Sequence, residues 1–259
     1  MMQSIFTQVK DLMMHARASE YTAQTPAHQQ HQHNIVLVHG LGMSGRYMMP
    51  TAERLIHFAN VYVPDLPGFG QSDKPPRALT IAELADYLAW WMDAINIERA
   101  VFVGNSFGTQ IIIELATRFP ERVERAVLIA PTIDARARVV SRQLARLLLD
   151  ATREPLSLTS IAVSDYLRAG LKRGARTLRY AIADCIEEKL PHIHAPVLVV
   201  RGGRDPIVPQ AWAAEVARLS AGGRLKVLPR AAHAVNYNSP EELARLIIEF
   251  VNEKVATKR

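Results

Sequence analysis

The run Gly104-Asn105-Ser106-Phe107-Gly108 sets a serine between two glycines, each two positions away. It follows the apolar stretch Ala100-Val101-Phe102-Val103 and opens a helical pattern that continues to Arg118. G-x-S-x-G between a buried strand and a helix is a sharp turn that lifts the serine side chain clear of the backbone. The glycines remove side chains that would strike neighbouring main chain. The helix then aims free N–H groups at any negative charge developing beside Ser106. A neutral serine is a weak nucleophile near pH 7, so this chemistry needs an imidazole to take its proton.

Nine histidines are present. His233 stands out because Ala231-Ala232-His233-Ala234 is a small-residue turn just past the strand-like Leu225-Lys226-Val227-Leu228. The imidazole in turn needs a carboxylate to hold its tautomer. Asp205, in Arg201-Gly202-Gly203-Arg204-Asp205-Pro206, lies beyond another strand-like run, Val197-Leu198-Val199-Val200, and gives the order Ser, Asp, His that such an elbow requires. Asp134, soon after Ala126-Val127-Leu128-Ile129, is the competing carboxylate. An oxyanion forming on a substrate needs two N–H donors. Phe107 supplies one, and Leu41, in the loop His39-Gly40-Leu41-Gly42, is the natural second. His39 is read as structural.

These residues must be positioned by a scaffold, and the sequence describes it. Ile35 to Val38, Val61 to Val63, Ala100 to Val103, Ala126 to Ile129, Val197 to Val200 and Leu225 to Leu228 read as six short strands, several of them apolar throughout. Strands buried on both faces belong to a parallel sheet covered by helices. Helices are expected from about Arg46, from Ile81 to Ile95 with Thr80 as N-cap, and from Phe107 to Arg118. Another should start at Ser239-Pro240-Glu241-Glu242 with a capping box. Alternation of the two element types predicts an α/β fold with a doubly wound, mostly parallel sheet, whose chemistry gathers at the carboxyl ends of the strands. Residues 132–194 break the rhythm. They read as helices only and are expected to form a cap inserted into a core made of residues 1–131 and 195–259. In that segment Leu144, Leu147, Leu148 and Leu167 recur at spacings suited to lining a pocket or packing on the core. Of Arg168, Arg173, Arg176 and Arg179, one or two could point inward to hold a substrate carboxylate.

Bulk properties narrow the function further. The 259 residues, 49% hydrophobic and 22% charged, fit one globular domain with an insertion. Cys185 is the only cysteine, which excludes an intramolecular disulfide and a cysteine zinc cluster; it reads as a small apolar residue in a helix. His28, His31 and His33 sit in a polar turn without a carboxylate partner, so no metal and no cofactor is expected. No apolar run is long enough for a membrane span, and no signal-peptide stretch opens the chain, so a cytoplasmic location is the default. Near the N-terminus Ile5, Val9, Leu12 and Met13 recur at helical spacing and are read as a helix docked on its own domain rather than on lipid. Net charge is +6, and between Asp134 and Leu190 there are 11 Arg/Lys against 7 Asp/Glu. The excess sits in an internal segment rather than a tail, which argues against a nucleic-acid partner and for a solvated basic surface.

From residue 35 onward the chain resembles the α/β-hydrolase fold superfamily. The resemblance rests on the His39-Gly40-Leu41-Gly42 loop, the Asp65-Leu66-Pro67-Gly68-Phe69-Gly70-Gln71-Ser72 run, the Ser106 elbow, the Arg204-Asp205 turn and the His233 turn, all in order. It implies a serine hydrolase acting on a small ester or related acyl substrate through an acyl-enzyme. Val103 to Gly108 is also similar to the elbow of hydrolases that cleave carbon–carbon bonds in ring-fission products. Those enzymes carry tryptophan after the triad histidine, where this chain has Ala234, and their oxyanion loop differs at Leu41 and Met43-Ser44. The expectation is a carboxylesterase, with carbon–carbon hydrolysis or a non-catalytic ligand-binding role on the same fold as alternatives.

Overall fold

The structure, a computed structural model, describes residues 1–19 and 33–253. The polar turn expected at residues 28–33 lies outside that range except for His33. Eight strands form one sheet: β1 (Met2–Val9), β2 (Leu12–Ser19), β3 (Asn34–Val38), β4 (Asn60–Pro64), β5 (Ala100–Asn105), β6 (Val123–Ile129), β7 (Val197–Gly202) and β8 (Arg224–Leu228). Their order is β1-β2-β4-β3-β5-β6-β7-β8; all pairs from β4 through β8 are parallel, and β1–β2 and β2–β4 are antiparallel. The interior strands β5 and β7 are buried at every position, as strands covered on both faces must be.

The N-terminal helical stripe is corrected. Ile5, Val9, Leu12 and Met13 fall on two strands joined at Lys10-Asp11, not on one helix. Their spacing mimics a helix only because it is counted across a turn. Lys10 takes φ +52° there, without the Asn-Gly or Asp-Gly signature that makes a two-residue hairpin legible. Within β2, Met14, Ala16 and Ala18 are buried on one side of the sheet, and His15 on the other is also fully buried. His15 Nδ1 lies 2.8 Å from Asp65 Oδ2, while Asp65 Oδ1 accepts from Gly45 N at 2.6 Å and Oδ2 from Gln71 N at 2.9 Å. The Asp65-to-Ser72 run is thus a knot that ties the hairpin to the loop after β3.

Among the covering helices are α1 (Met49–Leu55), α2 (Ile81–Ala94) and α3 (Phe107–Arg118). Thr80 and Glu83 make the reciprocal bonds of a capping box at the start of α2. The segment between β6 and β7 contains α4 (Val140–Ala151), α5 (Leu156–Ala169), α6 (Leu171–Ala183) and α7 (Ile186–Lys189), and no strand among the described residues. Cys185 is in the break between α6 and α7 rather than inside a helix, with its Sγ 2.6 Å from Arg138 Nη1. After β7 come α8 (Gln210–Leu219), then α9 (Val235–Asn238) and α10 (Pro240–Asn252). The capping box expected at Ser239 is absent. The Ser239 N–H that Glu242 would have accepted already donates to Val235 O at 3.0 Å, closing α9, and Ser239 makes no side-chain cap bond.

Candidate active site

Ser106 occupies the junction of β5 and α3 with φ +55° and ψ −119°, a left-handed conformation that side chains rarely adopt. Both glycines of the elbow are sterically required. A Cβ on Gly108 would sit 2.4 Å from Val38 O, and one on Gly104 would sit 2.5 Å from Ile112 Cδ1 and 2.8 Å from Gly108 C. The helix therefore packs against β3 at backbone contact distance, which fixes where its N-terminus points.

The loop after β3 comes up against the serine. A Cβ on Gly40 would lie 3.6 Å from Ser106 Cβ and 3.5 Å from Asn105 O. Leu41 is the next residue, and Phe107 is the first of α3, where N–H groups lack a carbonyl one turn earlier. The two expected oxyanion donors thus belong to segments that flank Ser106. His39 is fully committed elsewhere: its Nε2 accepts Leu66 N–H at 3.0 Å and its Nδ1 donates to Gly40 O at 2.9 Å. Burial pushes its pKa down, more than the Asp65 charge raises it. A neutral, doubly bonded His39 has no nitrogen left for proton transfer.

Asp205 and His233 meet. Asp205 Oδ2 accepts from His233 Nδ1 at 2.9 Å, and Asp205 Oδ1 accepts Ile207 N at 2.7 Å and Val208 N at 3.0 Å. Arg201 braces the turn by donating to Asp205 O at 2.8 Å and Val208 O at 2.6 Å. Asp134, the competitor, is instead engaged with Arg136 N at 3.1 Å and with Arg146 at 3.4 Å. Burial alone would raise the Asp205 pKa, but the charge and hydrogen bond of His233 and the two N–H donors hold it below the usual value. For His233 burial works downward, yet the facing carboxylates Asp205, Asp150 and Glu154 raise it from 6.5 to about 9.

Several residues that the sequence did not single out join these parts. Tyr47 Oη accepts Gly40 N–H at 2.7 Å and donates to Asn105 Oδ1 at 2.8 Å, and Asn105 Nδ2 donates to His233 O at 3.1 Å. One side-chain chain therefore links the loop after β3, the elbow and the histidine turn. Two helices of the β6–β7 segment press on the same loops. Asp165 of α5 accepts Ser44 N at 2.8 Å and Ser44 Oγ at 2.7 Å, and pairs with Arg46 at 2.6 Å. The Tyr166 ring fills the space over Gly42, where a Cβ would come within 2.4 Å of it. Just beyond α4, Glu154 accepts Ala234 N–H at 2.7 Å and Asn238 Nδ2 at 2.9 Å, and buried Asp150 of α4 faces the His233 N–H. Burial raises the Asp150 carboxyl to about 6, against the pull of His233.

The expected roles of the segment's leucines and arginines are corrected. Leu144, Leu147, Leu148 and Leu167 are exposed rather than packed on the core. Arg168, Arg176 and Arg179 are exposed too, and Arg173 donates to Arg77 O at 2.9 Å and Pro75 O at 2.6 Å. The buried side of α4 is carried by Gln143 and Asp150, so the apolar stripe faces the other way.

A family model described as "Alpha/beta hydrolase family" matches residues 35–246. A 2-hydroxymuconate semialdehyde hydrolase of Pseudomonas sp. (strain CF600) is 29% identical over 255 residues, covering 85% of this chain and 87% of that protein. Abhydrolase domain-containing protein abhd-5.2 of Caenorhabditis elegans is 36% identical over 101 residues, but this chain spans only 23% of its length. Among solved structures, the enol-lactonase from Burkholderia xenovorans LB400 superposes with a TM-score of 0.79 at 24% identity, over 96% of this chain and 100% of that one. That last likeness is one of fold.

Proposed function

The chain belongs to the alpha/beta hydrolase family, and from that premise we propose that it is a serine hydrolase cleaving a carboxylic ester of a small molecule, with Ser106, His233 and Asp205 as its triad. The observation that carries the reading is the Asn105–His233 bond at 3.1 Å together with the Asp205–His233 bond at 2.9 Å. The first holds the histidine turn to the residue preceding Ser106; the second occupies Nδ1 and leaves Nε2 for the serine. His233 Nε2 takes the Ser106 proton as Oγ attacks the ester carbonyl. The N–H groups of Phe107 and Leu41 stabilise the oxyanion. The imidazolium, steadied by Asp205, returns the proton to the leaving alkoxide, and water then repeats the sequence on the acyl-enzyme. The segment at residues 132–194 acts as a cap, since Asp165 and Glu154 bond it to the oxyanion and histidine loops and Tyr166 packs over Gly42.

A second reading is carbon–carbon hydrolysis by the same triad. The name of the 29% identical relative favours it. Against it, Arg168, Arg176 and Arg179 are exposed, and the Arg173 guanidinium is engaged with the Arg77 and Pro75 carbonyls. The separating experiment is turnover of neutral p-nitrophenyl esters of increasing chain length beside a ring-fission dienoate. Ester turnover with an inert dienoate is expected. A kcat/KM higher for the dienoate than for every ester would give the second reading the place of the first.

A further inference from the structure

Polarity is sorted across the helical segment in an unusual sense. The α4 helix turns three of its polar side chains inward: Gln143 Nε2 donates to Ala137 O at 2.6 Å, Arg146 Nη1 donates to Ile207 O at 3.0 Å, and Asp150 is buried beside His233. Its apolar residues Val140, Leu144, Leu147 and Leu148, spaced by three and four, face outward, and Leu148 is 72% exposed. On α5, Leu156, Val163 and Leu167 share an open face with Arg168, and Leu156 is 86% exposed. Of the twelve large apolar side chains exposed among the described residues, ten fall within residues 139–171. A monomer in water rarely leaves apolar outer faces on consecutive helices without a use for them.

Charge is sorted along the same boundary. The acids Asp150, Glu154 and Asp165 all turn toward the core, onto the histidine and oxyanion loops. Every exposed ionisable side chain from residue 136 to 183 is a cation: Arg136, Arg142, Arg168, Lys172, Arg176 and Arg179. This sign decides between possible occupants. A twofold contact between copies would set the face against itself and bring arginine against arginine in a drying interface. An anionic bilayer surface has the opposite sign, imposes no fixed shape, and accepts leucines into its acyl boundary while the guanidinium groups stay among the headgroups.

We propose that the outer face of α4 and α5, with its flanking arginines and lysine, docks this protein on an anionic lipid surface. The inward acids would then couple the docked helices to the loops around Ser106. Docking is independent of the hydrolase reading, because binding is measured without turnover. The test is co-sedimentation of the full chain with phosphatidylcholine vesicles, with and without phosphatidylglycerol. The expected result is capture by the phosphatidylglycerol vesicles alone, weakening as salt is raised. Leu148→Ser with Leu167→Ser, and separately Arg168→Glu with Arg176→Glu, should each lower the bound fraction ~10-fold or more. All four side chains are exposed, so circular dichroism should show both double variants folded. No capture by either vesicle, equal capture by both, or capture unchanged in the variants would overturn the proposal. A wild-type dimer in light scattering that the leucine pair disperses, with no vesicle binding, would assign the face to a second copy instead.

Discussion

At the scale of single residues, the carboxylates around His233 differ in what each does for it. Asp205 contacts its Nδ1 directly, so Asp205→Asn should leave the fold intact and lower kcat by roughly 10⁴-fold, through loss of the productive tautomer. Asp134, engaged with Arg136 and Arg146, is the control, and steady-state kinetics of Asp134→Asn should stay close to wild type. A crippled Asp134→Asn beside a mild Asp205→Asn would reverse the assignment. Asp150 acts by charge and position rather than by touching the reacting atoms. It is one of three carboxylates that hold His233 at about 9 against its burial. As His233 must be neutral to accept a proton, the acid limb of the kcat/KM profile should lie above the ordinary imidazole value of 6.5. Removing one negative charge favours the neutral imidazole, so Asp150→Asn should move that limb to lower pH. A limb that does not move, or that moves upward, would show that Asp150 is a packing residue only.

At the scale of elements, legibility depends on whether a residue's partner is near it in sequence. The elbow is local: β5, the turn at Ser106 and α3 are one continuous stretch, and its glycine spacing carries the steric reason with it. Its rigidity can be tested. The Cβ of Gly108→Ala would press on Val38 O from 2.4 Å. Backbone cannot yield as a side-chain tip does, so the cost should be about 3 kcal/mol or more, read as a fall in Tm of about 6–12 °C for a domain of this size. An unchanged Tm would mean that α3 and β3 can separate without loss. Other links are invisible at this scale. Tyr47 reaches Asn105 across 58 positions, Glu154 reaches Ala234 across 80, and Asp165 reaches Ser44 across 121. No periodicity records such pairs. The N-terminal hairpin escapes for a different reason, since its apolar residues satisfy a helical template when read across the Lys10-Asp11 turn.

At the scale of the whole molecule, the proposed site lies at the carboxyl ends of the parallel strands. The loops after β3, β5, β7 and β8 carry the proposed residues Leu41, Ser106, Asp205 and His233, with 192 positions between the first and the last; Gly40 comes up against Ser106, Asn105 bonds the His233 carbonyl and Asp205 bonds the His233 ring. Apolar strands, their alternation with helices and the all-helical interval before β7 make this architecture readable from sequence. What faces outward on the inserted helices is not readable in the same way, because amphipathicity gives a stripe and not its direction. On α4 that direction is set by Gln143 and Arg146, bonded to Ala137 O and Ile207 O, and by Asp150, buried beside His233. In the proposed triad this assembly activates one serine, Ser106. That activation is tested most directly by treating the wild-type protein and Ser106→Ala with a fluorophosphonate and measuring intact mass and the labelled peptide. A single adduct, located on Ser106, is expected on the wild type and none on the variant. An unlabelled wild-type protein, or an adduct of equal yield on Ser106→Ala, would contradict the proposed triad.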